Sequence, residues 1–186
     1  MNIILGSQSP RRRELMAGLD IPFTAINIDA DESYPASLQA GDIPLYISRA
    51  KARAYENQLT PNDLLITADT IVWIHNHMLG KPANGQQAIE MLRELSGQTH
   101  QVYTAVTFLH QGRYESFVDQ TDVTFRPLTD EEIAYYISHY HPLDKAGAYG
   151  VQEYIGYIGV TRMVGSYFNV MGFPIARVYE QLKPYL

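Results

Sequence analysis

Ile3-Ile4-Leu5-Gly6-Ser7-Gln8-Ser9-Pro10-Arg11-Arg12-Arg13-Glu14-Leu15 runs from a short apolar stretch through a turn into a segment crowded with arginine. Ile3 to Leu5 suit a buried strand and Gly6 permits a tight turn. Ser9 is a good N-cap, and Pro10 belongs at the first helical position, where its missing N–H is no loss. A helix opening at Pro10 is expected. Arg11, Arg12 and Arg13 then fall in its first turn, where the positive end of the helix dipole disfavours a cation by about 0.3–1 kcal/mol. A bound phosphate would reverse that sign. Backbone N–H groups, serine hydroxyls and guanidinium forks at one helix terminus make an anion cradle, so Ser7, Ser9, Arg11 and Arg12 are candidate phosphate-binding residues. Without a ligand, the same stretch is a solvated basic helix face.

Outward from that segment, strand and helix signals interleave. The first helix should stop near Gly18, and Phe23 to Ile28 alternate as a strand running into the acidic turn Asp29-Ala30-Asp31-Glu32. Asp42 and Pro44 open a helix reaching about Gln58, with Tyr46, Ala50 and Ala54 on one face. Leu64 to Thr67 reads as a buried strand that breaks at Ala68-Asp69-Thr70 and resumes as Ile71-Val72-Trp73-Ile74. Ala88, Met91, Leu92 and Leu95 recur at helical spacing before Gly97. Gln101 to His110 and Tyr114 to Phe125 alternate on either side of Gln111-Gly112-Arg113, the pattern of a hairpin. Thr129 and Glu132 form a capping box for a helix burying Ile133, Tyr136, Ile137 and Tyr140. A loop from Pro142 to Gln152 leads to two β candidates, Tyr154 to Val164 and Tyr167 to Met171. Pro174 opens a last helix that turns Ile175, Val178, Tyr179 and Leu182 inward. Hairpins interrupt the alternation, so the expected fold is α/β, with a mixed β-sheet flanked by helices. Residues 1–186 should form one domain whose hairpin-rich middle makes a second lobe.

The chain is 46% hydrophobic and 18% charged over 186 residues, enough to bury a substantial core. Its net charge of -6 confines positive potential to the arginine cluster. That suits a small anion and lacks the basic stripe that polymeric nucleic acid requires. The absence of cysteine excludes disulfides and thiolate metal sites and fits a reducing cytoplasm. The opening apolar run is far too short for a signal peptide, and no uncharged run approaches the ~20 residues of a membrane span. A cytoplasmic protein with no membrane partner is expected.

Asp69, in Ile66-Thr67-Ala68-Asp69-Thr70, stands at the expected end of a buried strand, a common place for a catalytic side chain. A turn carboxylate accepting backbone N–H groups is the alternative. Glu32 in the acidic turn could join Asp69 in holding Mg²⁺, which is usually bound by one or two carboxylates plus substrate phosphates. Lys81, in Gly80-Lys81-Pro82, and Lys51, one cation among several on its helix, read on spacing alone as solvated surface charges. In Pro142-Leu143-Asp144-Lys145-Ala146-Gly147-Ala148-Tyr149-Gly150-Val151-Gln152, glycines flank small residues and an aromatic, which suits close approach of a ligand or a tight loop stapled by an Asp144–Lys145 pair. His75 and His77, like His139 and His141, lack a zinc setting and read as surface residues.

Six blocks together, Ser7-Gln8-Ser9-Pro10-Arg11-Arg12, Thr67-Ala68-Asp69-Thr70, Gly80-Lys81-Pro82, Val102-Tyr103-Thr104-Ala105-Val106, the Pro142 to Gln152 loop and Gly165-Ser166-Tyr167-Phe168-Asn169-Val170-Met171-Gly172-Phe173-Pro174, resemble the Maf family of nucleoside triphosphate pyrophosphatases. The resemblance runs almost end to end; Phe173 departs from a usual leucine and reads as a core substitution. It implies a fold similar to the inosine triphosphatases, with a central cleft between two lobes. It also implies cleavage of a nucleoside triphosphate to the monophosphate and pyrophosphate with a divalent cation, Mg²⁺ or Mn²⁺, held by Glu32 and Asp69. By the same resemblance Asp69 is the proton acceptor and Glu32 its acidic companion, while Lys51 and Lys81 belong to the phosphate pocket. Arg12, Thr70 and Gln152 match the subgroup acting on dTTP and UTP, and the family points to a homodimer. A nucleotide-binding regulator of septum formation with little turnover is the competing reading. It gains nothing from two carboxylates facing a polyanion unless a metal lies between them.

Overall fold

The computed structural model describes residues 1–186. The strands are β1 (Asn2–Gly6), β2 (Thr24–Ile26), β3 (Asp63–Ile74), β4 (His77–Leu79), β5 (Thr99–His110), β6 (Arg113–Phe125) and β7 (Val160–Val164). The helices are α1 (Pro10–Ala17), α2 (Asp42–Tyr55), α3 (Gly85–Leu95), α4 (Asp130–Tyr140), α5 (Tyr154–Gly159), α6 (Tyr167–Val170) and α7 (Ile175–Leu182). The sheet has the order β2-β1-β3-β5-β6-β7, with β4 paired to β3. It is mixed, as expected: β1 runs parallel to β2 and β3, whereas β3–β4 and β6–β7 are antiparallel.

Contacts divide the chain into two compact units. The first comprises residues 1–70, 104–119 and 172–186. Its core gathers Ile3 and Leu5 of β1, Met16 of α1, Leu64 and Ile66 of β3, Phe108 of β5, and Val178 and Leu182 of α7. Phe173 lies fully buried in that cluster, which accounts for an aromatic in place of leucine as a core exchange. The second unit comprises residues 71–103 and 120–171. Ala88, Leu92 and Leu95 of α3 pack there with Val102, Val123, Phe125, Ile133 and Tyr136.

Local signals account for most boundaries. Ser9 caps α1 by accepting the Arg12 N–H, with Pro10 in the first turn. Thr129 and Glu132 make the full capping box of α4. Gln111 and Gly112 both have positive φ, the geometry of a two-residue hairpin turn, and join β5 to β6. His75 and Asn76 do the same between β3 and β4, in a hairpin whose register pairs Trp73 with Met78.

Four expectations fail. β3 does not break at Ala68-Asp69-Thr70 but runs unbroken to Ile74. Flanked by β1 and β5, the strand tolerates one polar pair where its burial relaxes. Tyr154 to Val164 is not a single strand: α5 occupies its first half and β7 its second. The repeat Tyr-Ile-Gly-Tyr-Ile-Gly has a helical spacing of three, and a Cβ at 156 would overlap the Val151 carbonyl oxygen. Tyr167 to Met171 begins as a capped helical turn, because Ser166 accepts the Asn169 N–H and overrides the aromatic bias toward strand. Tyr140 and Tyr179 also face outward, Tyr140 stacking on Tyr136 and Tyr154, and Tyr179 lying beneath the Lys183 ammonium.

Candidate active site

The ladder joining β3 to β1 ends at the Gly6 and Thr67 pair. The next residues of β3 turn their polar groups to side-chain partners. Asp69 and Thr70 are its only consecutive residues that are not buried; elsewhere in the strand only Trp73 is partly exposed.

Asp69 Oδ1 accepts a hydrogen bond from Lys51 Nζ at 2.9 Å, and the same ammonium lies 2.9 Å from Glu32 Oε1. Lys51 comes from α2 and Glu32 from the acidic turn after β2, so three separated segments converge on one point. The Asp69 and Lys51 side chains are 14% and 13% exposed, whereas Glu32 is 54% exposed. Burial raises the pKa of Asp69 above the ordinary carboxylate value; Lys51 and Arg12 oppose the shift, and Glu32 adds to it. The result is a carboxylate more basic than an exposed aspartate.

Arg12 lies beside this group. Its Nε donates to the Gly172 carbonyl at 2.7 Å, Nη1 to the Ala68 carbonyl at 3.0 Å and to Ser7 Oγ at 3.4 Å, and Nη2 to Thr70 Oγ1 at 3.0 Å. Those four bonds engage four of the five guanidinium donors. Burial draws its pKa below the usual arginine value, with Asp69 pulling the other way. Arg12 and Thr70 are therefore one hydrogen-bonded unit, extended by Thr104 Oγ1 at 2.9 Å from Thr70 Oγ1. Ser9 Oγ is engaged as the N-cap, and Ser7 Oγ accepts the Ser9 N–H at 3.2 Å. Arg11 is half-buried and follows Pro10 in α1.

The structure thus brings Glu32, Lys51 and Asp69 together, and Ser7, Arg12 and Thr70 together, all within the first unit. Lys81 and Gln152 belong to the second. There the Gly147 N–H donates to the Gly80 carbonyl at 3.1 Å, tying the residue before Lys81 to the loop that ends in Gln152. Gln152 is half-buried, and its carbonyl accepts the Tyr157 hydroxyl at 2.5 Å. The loop also carries the expected Asp144–Lys145 pair, at 2.9 Å. His75 and His77 are exposed and share Glu94 at 3.1 Å, consistent with surface histidines.

One participant is not legible in the sequence: the Gly172 carbonyl, a backbone group that carries no side-chain signal.

Two carboxylates meeting one cation form a donor set that fits a hard divalent ion, which takes one or two protein carboxylates and completes its shell with phosphate oxygens. No third histidine, aspartate or glutamate groups with them into an all-protein metal cage.

A profile of Maf-like proteins matches residues 2–185. The chain belongs to the Maf family. Curated relatives of this Maf protein include one from Bacteroides fragilis, 54% identical over 97% of this chain and 94% of its own length, and named dTTP/UTP pyrophosphatase. Relatives of the same name come from Porphyromonas gingivalis, 50% identical over 98% of this chain and 94% of theirs, and Flavobacterium johnsoniae, 47% identical over 97% and 93%. Among solved structures, the Ham1 protein of Staphylococcus aureus superimposes with a TM-score of 0.55 at 12% identity. It covers 97% of this chain and 100% of that one, so the Maf protein shares the Ham1 fold. No helix is long and apolar enough to cross a membrane.

Proposed function

We propose that this Maf protein is a nucleoside triphosphate pyrophosphatase that hydrolyses dTTP and UTP to the monophosphate and pyrophosphate. The observation that carries the reading is the convergence of Glu32 and Asp69 on Lys51, with Asp69 buried and its basicity raised. A regulator that only bound nucleotide would have no use for a basic carboxylate there. The curated relatives bear the name of this activity across nearly the full chain, which supports the same reading.

Asp69 is the general base. Lys51 Nζ holds Oδ1, which orients the carboxylate, and Oδ2 takes the proton from the attacking water. A carboxylate made more basic by burial removes that proton more readily at neutral pH. Lys51 and Lys81 counter the charge of the triphosphate and of the departing pyrophosphate, assisted by Arg11 and Arg12 at the start of α1. Glu32 and Asp69 would hold Mg²⁺ or Mn²⁺, which supplies charge neutralisation at the phosphate oxygens. Because Arg12 is fastened to Thr70 and Gly172, it also fixes the start of α1 against β3, so its charge is presented in one geometry. Gln152 reads the base: its amide offers both a donor and an acceptor to the acceptor–donor–acceptor edge of thymine or uracil.

Incubation of the purified protein with dTTP, UTP, CTP and GTP, followed by product identification, tests this reading. Pyrophosphate and a nucleoside monophosphate are expected, fastest from dTTP and UTP. Release of orthophosphate and a diphosphate would overturn it. Exhaustive chelation should stop turnover, and added Mg²⁺ or Mn²⁺ should restore it; full activity under chelation would remove the metal from the scheme.

A further inference from the structure

Tyr136, Lys145 and Glu153 form a cluster of titratable groups in the second unit that takes no part in the proposed phosphate chemistry. Tyr136 is fully buried on α4 and donates its hydroxyl to Glu153 Oε2. That hydroxyl oxygen in turn accepts the Gly150 N–H at 3.0 Å. Lys145 Nζ meets Glu153 Oε1 at 3.2 Å, with its side chain 9% exposed. The Glu153 N–H donates to the Gly150 carbonyl at 3.1 Å, closing a tight turn. Its carboxyl packs so closely on that turn that a Cβ at 150 would lie 2.7 Å from Glu153 Cδ.

The turn closed in this way contains only Val151 and Gln152. Val151 is buried in the second-unit core, and the Gln152 carbonyl is held from outside by Tyr157. A satisfied polar network in a low-dielectric interior rigidifies what it encloses, whereas a broken one leaves costly unpaired groups. An amide that must present a donor and an acceptor to one base edge gains selectivity only if both atoms stay in register, and misplacement by ~1 Å is enough to lose it.

We propose that Tyr136, Lys145 and Glu153 are positioning residues for Gln152, setting base discrimination by holding the Gly150 to Glu153 turn that presents its amide. This rests on the assignment of Gln152 to the base. The three residues act on the choice of base and leave phosphate chemistry to the side chains named above.

The experiment compares kcat and KM for UTP and CTP in the wild type, Tyr136→Phe, Glu153→Gln, Gln152→Leu and the Tyr136→Phe/Gln152→Leu double variant, with melting curves to confirm folding. Tyr136→Phe and Glu153→Gln should each lower the UTP-to-CTP ratio of kcat/KM by about tenfold, the scale of one lost interaction. The change should fall mainly on KM for UTP, with kcat held within about twofold. In the Gln152→Leu background, Tyr136→Phe should add no further loss of discrimination, because residues acting through one another are not additive. Glu153→Gln keeps the side-chain shape at a site 21% exposed, so it yields the readout even where Tyr136→Phe does not fold. An unchanged ratio in the folded single variants, or full additivity in the double variant, overturns the positioning role while the Gln152 assignment stands. An unchanged ratio in Gln152→Leu itself overturns both.

Discussion

Lys51 lies 2.9 Å from both Glu32 and Asp69, and Lys145 lies 2.9 Å from Asp144 and 3.2 Å from Glu153. Each lysine bridges one exposed carboxylate, Glu32 or Asp144, and one largely buried one. What differs is the company of the buried acid. Glu153 receives the Tyr136 hydroxyl in addition to Lys145, and that hydroxyl is anchored by a backbone N–H. Asp69 has burial working against its charge, and the attraction of Lys51 and Arg12 does not cancel the effect. The same triad of charges is thus a latch where extra donors satisfy the carboxylate, and a source of basicity where desolvation prevails. Counting ion pairs would not separate the two.

The comparison breaks most visibly at Asp69. Asp69→Asn keeps the shape but removes the basic oxygen, so kcat should fall by about 10²–10⁴, the usual range for a lost general base. Circular dichroism should show the same fold. A near-normal rate would make the first triad as structural as the second.

His100 sharpens the comparison as a buried titratable group outside either triad. Its Nε2 pairs with the Tyr149 hydroxyl at 2.7 Å, its Nδ1 has no partner, and Phe125 and Tyr149 meet its ring edge-on. Burial depresses its pKa to about 4, with Asp122 pulling weakly upward. The folded protein therefore keeps His100 neutral while the unfolded chain takes up a proton below about pH 6.5. The stability contribution is complete above pH 6.5 and is lost as pH falls toward 4, by up to about 3 kcal/mol. The urea midpoint of the wild type should fall relative to that of His100→Phe as pH drops through that window; parallel curves would exclude the effect.

Lys145→Met leaves Glu153 without its cation and should destabilise the protein by about 2 kcal/mol, less than a fully buried pair because Glu153 is partly exposed. Smallest of all, Arg93→Ala removes an ion pair to Asp130 whose side chains are 53% and 70% exposed, and the melting temperature should not move. Equal losses at the two sites would mean that the burial around Lys145 adds nothing.

The sequence spoke clearly wherever local chemistry decides. Ser9 with Pro10, Thr129 with Glu132, and the Gln111-Gly112 turn each announce their elements, and the alternation of β5 and β6 left no other reading. It misled at β3, where a polar pair suggests an end but neighbouring strands decide continuity. It misleads at α5 and α6 because aromatic and β-branched residues bias toward strand, a bias outweighed by the close approach of Gly156 to the Val151 carbonyl and, at α6, by the local Ser166 cap. Within the site, Asp69, Glu32 and Lys51 could be named from motifs, but their meeting at one ammonium could not, since no local periodicity relates residues 32, 51 and 69. Likewise the arginine run points to an anion cradle, but nothing local announces that Arg12 also bonds to a carbonyl 160 residues away.

That distance bears on how the protein is made. The first unit is assembled from the start, the middle and the end of the chain, and α7 supplies Val178 and Leu182 to its core. On the ribosome, Lys51 and Asp69 emerge early, yet the Gly172 carbonyl that seats Arg12 and the α7 side chains that seal the core emerge only after the whole second unit has been made. Catalytic competence should therefore appear only once Gly172 and α7 have left the exit tunnel, and a nascent chain stalled before Gly172 should lack it however long it is given to fold.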